Sequence, residues 1–84
     1  MVKTAVWRDN QGMSIPKIRL QFAQKLREKR KEAKLTQEEM AERINISVRY
    51  YQMLESKNPT AIKIDGIEKI AKVLKIKPAE LLKF

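Results

Sequence analysis

Eighty-four residues, no cysteine, no histidine and a net charge of +9 bound what this chain can be. The length suits one domain with a small core, and the missing residue types remove disulfides, thiolate zinc sites and the usual general base. No run approaches the roughly 20 apolar residues of a membrane helix and no signal-peptide pattern opens the chain, so the expectation is a soluble cytoplasmic protein with no cofactor and no membrane partner.

The charge is unevenly distributed. Residues 1–16 carry +1, 17–35 carry +6, 36–55 carry −2 and 56–84 carry +4. A polyanionic partner and a merely solubilising lysine-rich surface both fit the total. The pattern favours the first, because two basic flanks around a near-neutral segment suit phosphate clamps on either side of an inserted element. Ten carboxylates are present, but without histidine, cysteine or a glycine-rich phosphate loop they do not suggest an enzyme.

Residues 1–13 form a short N-terminal arm, with an extended stretch from Val2 to Arg8 and a turn signal at Asn10-Gln11-Gly12. The arm packs on the body through Trp7, pairs with another copy or protein partner, or stays loose. Residues 14–84 form the domain. Its first helix is expected from Ser14, as N-cap, to about Ala33, with Ile15, Ile18, Phe22 and Leu26 on one apolar stripe. Thr36 caps the second helix and Glu39 falls three residues on, the capping-box spacing. Met40, Ala41 and Ile44 face inward.

Asn45 accepts a left-handed backbone at modest cost, so it ends the second helix and redirects the chain. Ser47 caps the third helix, Val48 to about Glu55. With Tyr51 and Leu54 inward, Arg49 and Met53 fall on the opposite face, with Tyr50 and Gln52 at its margins. Pro59 marks a loop. The fourth helix carries Ile64, Ile67, Ile70, Ala71 and Leu74 on one stripe, starting either with Asp65 and Glu68 as a second capping box or a residue or two earlier. Pro78 opens a last short helix with Leu81 and Leu82. The result is an all-α, compact five-helix domain with a helix-turn-helix at residues 36–55.

From Phe22 to Leu82 the chain resembles the lambda-repressor-like (Cro/repressor, Xre) helix-turn-helix family. The residues that carry the likeness are Leu26 and Arg30, the run Leu35-Thr36-Gln37-Glu38-Glu39-Met40-Ala41, Ile46-Ser47, Leu54-Glu55, Ile70-Ala71-Lys72-Val73-Leu74 and Pro78-Ala79-Glu80-Leu81-Leu82. Lys34, Asn45, Lys57 and Lys75 stand where the family often has glycine, and Tyr51 stands where it usually has a small aliphatic residue.

The resemblance implies double-stranded DNA as partner. Gln37 and the amides at its helix start would hold a phosphate. Ser47, Val48, Arg49, Gln52 and Met53 match the positions at the start and on the reading face of the recognition helix. Arg49 can bond guanine with both guanidinium arms or, alternatively, make a plain surface ion pair; Gln52 suits adenine or a phosphate. Tyr50 would point outward, its hydroxyl near phosphate, and Ser56, Lys57 and Asn58 would touch the backbone, with Lys63 extending the clamp. Arg30 and Glu55 would form a structural ion pair between the first and third helices. The basic side chains of the first helix (Lys25, Arg27, Lys29, Lys31 and Lys34) surround it, so only some can face DNA.

The leading expectation is a dimeric repressor reading a palindromic operator, paired through the C-terminal end where Leu81, Leu82 and Phe84 leave apolar area. Related alternatives are an antitoxin or a restriction-modification controller that regulates its own operon. From another class, the apolar Val48 and Met53 fit a protein-interaction adaptor that does not read DNA.

Overall fold

The computed structural model describes residues 15–84. It has five helices and, among the described residues, no strand: α1 (Lys17–Glu32), α2 (Gln37–Arg43), α3 (Val48–Leu54), α4 (Ile64–Leu74) and α5 (Pro78–Leu81). The arm of residues 1–13 and the expected cap Ser14 lie outside the described residues.

Helix starts follow local chemistry. Thr36 Oγ1 accepts the Glu39 amide at 3.0 Å, while Glu39 Oε1 accepts the Thr36 amide at 2.8 Å, a complete capping box. Ser47 Oγ accepts the Tyr50 amide at 3.0 Å and caps α3. Pro78 takes the first position of α5, where its missing N–H costs nothing. Two expected caps differ. Pro16, not Ser14, precedes α1, and of the two starts open for α4 the earlier one is taken, with Lys63 in place of an Asp65–Glu68 box, in both cases without a side-chain cap bond. Asp65 instead sits in the first turn of α4, where a carboxylate is favoured by the positive end of the helix.

The ends of α1, α2 and α4 share one device. Lys34, Asn45 and Lys75 have φ of 60°, 59° and 59°, the left-handed region. After each, the next residue donates its amide back five positions in the Schellman pattern: Leu35 to Arg30 at 3.2 Å, Ile46 to Ala41 at 3.0 Å and Ile76 to Ala71 at 3.0 Å. Those three donors, Leu35, Ile46 and Ile76, are half-buried against the core. Two lysines do the work expected of glycine, while Lys57, the fourth position considered, does not adopt this conformation.

The core collects Phe22, Ala23 and Leu26 from α1, Met40 and Ala41 from α2, Ile44 from the turn, Tyr51 and Leu54 from α3, Ile70, Ala71 and Leu74 from α4, and Leu81 from α5. Ala41 lets α2 and α3 pack closely, α4 seats against α2, and α5 bridges α4 to α1. Truncating a fully buried member such as Leu26 to alanine costs about 2–5 kcal/mol.

The apolar stripes end sooner than periodicity suggests. Ile18 is 57% exposed and Ile64 78% exposed, because each lies in the first turn of its helix, at the rim of the body. Conversely Leu81, expected on an exposed C-terminal surface, is fully buried. Only Leu82 and Phe84 of that trio leave apolar area in solvent.

Candidate nucleic-acid interface

Glu55 organises the back of the recognition helix. Its carboxylate is buried at the end of α3 and takes Arg30 in a two-armed pair, Nε to Oε2 at 2.7 Å and Nη2 to Oε1 at 3.0 Å. Tyr51 Oη donates to Oε2, and Gln37 Nε2 donates to Oε1 at 3.1 Å. Arg30 Nη1 also donates to the Leu35 carbonyl at 2.8 Å, and Arg27 Nη2 donates to the Glu55 carbonyl at 2.6 Å. One carboxylate thus joins α1, the start of α2 and α3. Among the described residues no buried side-chain polar atom is left without a partner, the condition under which a buried charge is tolerated.

Ionisation follows from this geometry. Burial alone would push the Glu55 carboxyl up, but the hydrogen bonds from Arg30, Tyr51 and Gln37 outweigh it and hold it below the ordinary carboxylate range. The bond to Glu55 raises Arg30 against the opposing effect of burial. Burial, then the bond to Glu55, pushes the Tyr51 phenol well above its usual value. All three therefore hold their ordinary charge states near neutrality.

This support fixes the orientation of α3. Tyr51 and Leu54 are buried on its inner side, while Arg49, Gln52 and Met53 are exposed on the outer side. Val48 is half-buried and Ser47 is spent on capping, although exposed. The alternative of a plain surface ion pair for Arg49 finds no partner among the described residues. Lys57, Asn58 and Lys63 are exposed after α3, and Ser56 braces that loop, its hydroxyl donating to the Met53 carbonyl at 2.9 Å and accepting the Asn58 amide at 3.2 Å.

Two side chains sit otherwise than the sequence suggests. Tyr50 is half-buried, and its hydroxyl donates to the Ala61 carbonyl at 3.2 Å instead of projecting freely outward. Gln37 turns its amide nitrogen toward Glu55, leaving its carbonyl to face Gln52 Nε2 across a long 3.5 Å contact. Gln37 thus touches both the support and the outer face of α3. Sequence reading placed Arg27 only among the basic side chains around α1 and missed its bond to the Glu55 carbonyl, whose clue was its spacing of three from Arg30, on the same face of α1.

A tightly turned helix pair, braced from behind by a buried ion pair and bare in front, defines a helix-turn-helix module. The helix-turn-helix family pattern matches residues 26–81, two thirds of the chain, and the chain belongs to that family, the lambda-repressor-like one. It is also similar to the crystal structure of a hypothetical transcription factor from Neisseria, with a TM-score of 0.72 and 26% identity over 83% of this chain and 85% of that one. No curated protein matches. Among the described residues, no helix is long and apolar enough to cross a membrane.

Proposed function

We propose that this chain is a sequence-specific double-stranded DNA-binding transcriptional regulator, acting as a dimeric repressor on a palindromic operator. The observation that carries it is the outer face of α3. Arg49, Gln52 and Met53 stand exposed there on a helix whose inner face is locked by Tyr51 and Leu54. A helix so presented fits the major groove, where Arg49 addresses guanine and Gln52, steadied by Gln37, addresses adenine. Val48 and Met53 offer apolar contact to thymine methyls.

Phosphates on either side are met by the amides at the start of α2 and by Ser56, Lys57 and Asn58, with Lys63 beyond them. The similar Neisseria protein is described as a hypothetical transcription factor, which supports the same role here. One module covers limited DNA, so affinity calls for two copies on half-sites about 34 Å apart. Leu82 and Phe84, exposed at the C-terminal end, are the proposed contact between copies.

Selection of bound sequences from random duplex DNA tests the reading. A two-fold symmetric consensus, with affinity falling steeply as salt is added, is the expected result. A protein that enriches no sequence and binds a protein partner regardless of salt would be an adaptor instead.

A further inference from the structure

Among the described residues, two basic side chains of α1 reach the end of α3: Arg30, which is buried against Glu55, and Arg27. Arg27 Nη2 donates to the Glu55 carbonyl at 2.6 Å, where the helix gives way to Ser56, Lys57 and Asn58. Lys29 turns instead to Glu32 at 3.5 Å, and Lys25 lies on another flank of α1, beside Gln21, Glu28 and Phe84. We propose that Arg27 is a phosphate contact, one arm of its guanidinium holding the end of α3 and the other a phosphodiester of duplex DNA. The assignment rests on the DNA-binding reading above and adds a contact from outside the helix-turn-helix itself.

The two arginines differ in freedom. The Arg30 side chain is 11% exposed and bonds to Glu55 and to the Leu35 carbonyl, whereas the Arg27 side chain is 42% exposed. A guanidinium carries five N–H donors in a rigid fork. Arg27 gives one of them to the carbonyl, and its Nε stands 4.0 Å from Glu55 Oε1, beyond hydrogen-bond length. Its remaining donors make no bond among the described residues, on a side chain that solvent reaches.

Charge explains why a cation matters at this place. Residues 36–55 carry −2, and the last turn of α3 has no basic residue. Carbonyls at a helix C-terminus present negative potential, which repels a phosphate approaching Ser56, Lys57 and Asn58. The Glu55 carboxylate is already matched by Arg30, so Arg27 supplies the further positive charge there from α1. Because its guanidinium also touches the end of α3, a phosphate on the free arm is held in fixed register with Arg49 and Gln52 on the reading face.

Binding to a labelled mixed-sequence duplex across a range of salt concentrations tests the contact without requiring base recognition. Arg27→Ala should weaken binding several-fold at low salt. It should also make the slope of log affinity against log salt shallower by about 0.9 per bound copy, the loss of one phosphate contact. Arg27→Lys keeps the charge but not the fork, so its slope should match the parent's while its affinity falls in between. Lys72→Ala removes an equal charge from the exposed last turn of α4 and should leave the slope unchanged. Helical circular dichroism should be the same in all three; if Arg27→Ala loses helix, the lysine variant decides by its lower affinity at equal slope. A parent slope retained by a folded Arg27→Ala would overturn the assignment and leave the bond to Glu55 as a structural tie. Equal flattening by Arg27→Ala and Lys72→Ala would overturn it as an effect of net charge, and so would a lysine variant as tight as the parent. Parent binding that ignores salt would instead overturn the DNA-binding reading and this contact together.

Discussion

Tyr51 and Glu55 stand one turn apart at the end of α3, and the phenol donates its hydrogen to the same carboxylate oxygen that receives Arg30 Nε. This contact explains how a tyrosine fills a fully buried site: its ring joins the core while its one polar atom meets a charge that the fold already holds there. Tyr51→Phe keeps the ring and removes the donor. Arg30 and Gln37 still serve Glu55, so the expected loss is about 1.5 kcal/mol, at the low end for a hydrogen bond to a charged group. Urea unfolding at neutral pH measures it; a variant as stable as the parent would mean the hydroxyl contributes nothing.

Arg30→Ala leaves the buried Glu55 facing fewer donors, and Glu55→Ala leaves Arg30 without its carboxylate. Each is expected to cost about 3–5 kcal/mol, the range for breaking one side of a buried pair. The double variant should cost much less than the sum of the two, because the second substitution removes the charge that the first had stranded. Denaturant midpoints for the four proteins complete the cycle, and simple additivity would deny the coupling.

The same network sets two limits with pH. Glu55 is held below the ordinary carboxylate value of 4.5, so its contribution is present above that pH and is lost as pH falls through the folded-state value. Tyr51 is pushed above the ordinary phenol value of 10.0, so its contribution is complete below pH 10 and is lost as pH rises through its higher folded-state value. Melting temperature against pH should therefore show an acid limb that Glu55→Gln flattens and an alkaline limb that Tyr51→Phe removes. Limbs unchanged in the two variants would assign the titrations to other groups.

Much of the frame was legible because it is written in short-range chemistry. The Thr36–Glu39 spacing, Ser47 and Asn45 located both ends of the turn to the residue, since each acts on backbone atoms within a few positions. The family likeness supplied the Arg30–Glu55 pair, which no local pattern encodes. What escaped depended on where distant segments meet. Periodicity marks the apolar side of a helix but not how far the body extends along it, so Ile18 and Ile64 were expected inside and lie at the rim. Tyr50 turns to Ala61, and Arg27 to the Glu55 carbonyl, along paths fixed only once the loop after α3 and the packing of α1 on it are settled.

Lys75 shows what a helix end without glycine costs. Its φ of 59° is unfavourable for a residue with a Cβ by about 1–2 kcal/mol, partly offset because glycine loses more freedom on folding. Lys75→Gly is therefore expected to stabilise the fold by about 0.5–1 kcal/mol. Thermal unfolding with a rise of a few degrees is the expected outcome; a fall would mean that the lysine stem contributes packing worth more than the strain.

Arg49 carries the sharpest functional prediction. Its guanidinium is exposed on α3 and finds no carboxylate among the described residues, so Arg49→Ala should leave stability nearly unchanged. If the side chain reads guanine with both arms, the substitution costs about 1–3 kcal/mol on the preferred site and relaxes selection at one base pair of each half-site, with other positions kept. Lys57→Ala provides the contrast, because a phosphate contact weakens all sequences alike and lowers the slope of log affinity against log salt by about 1. Sequence selection repeated with each variant separates the two behaviours. Uniform weakening by Arg49→Ala would move that residue from base recognition to the phosphate clamp and leave Gln52 as the exposed polar side chain that reads bases from α3.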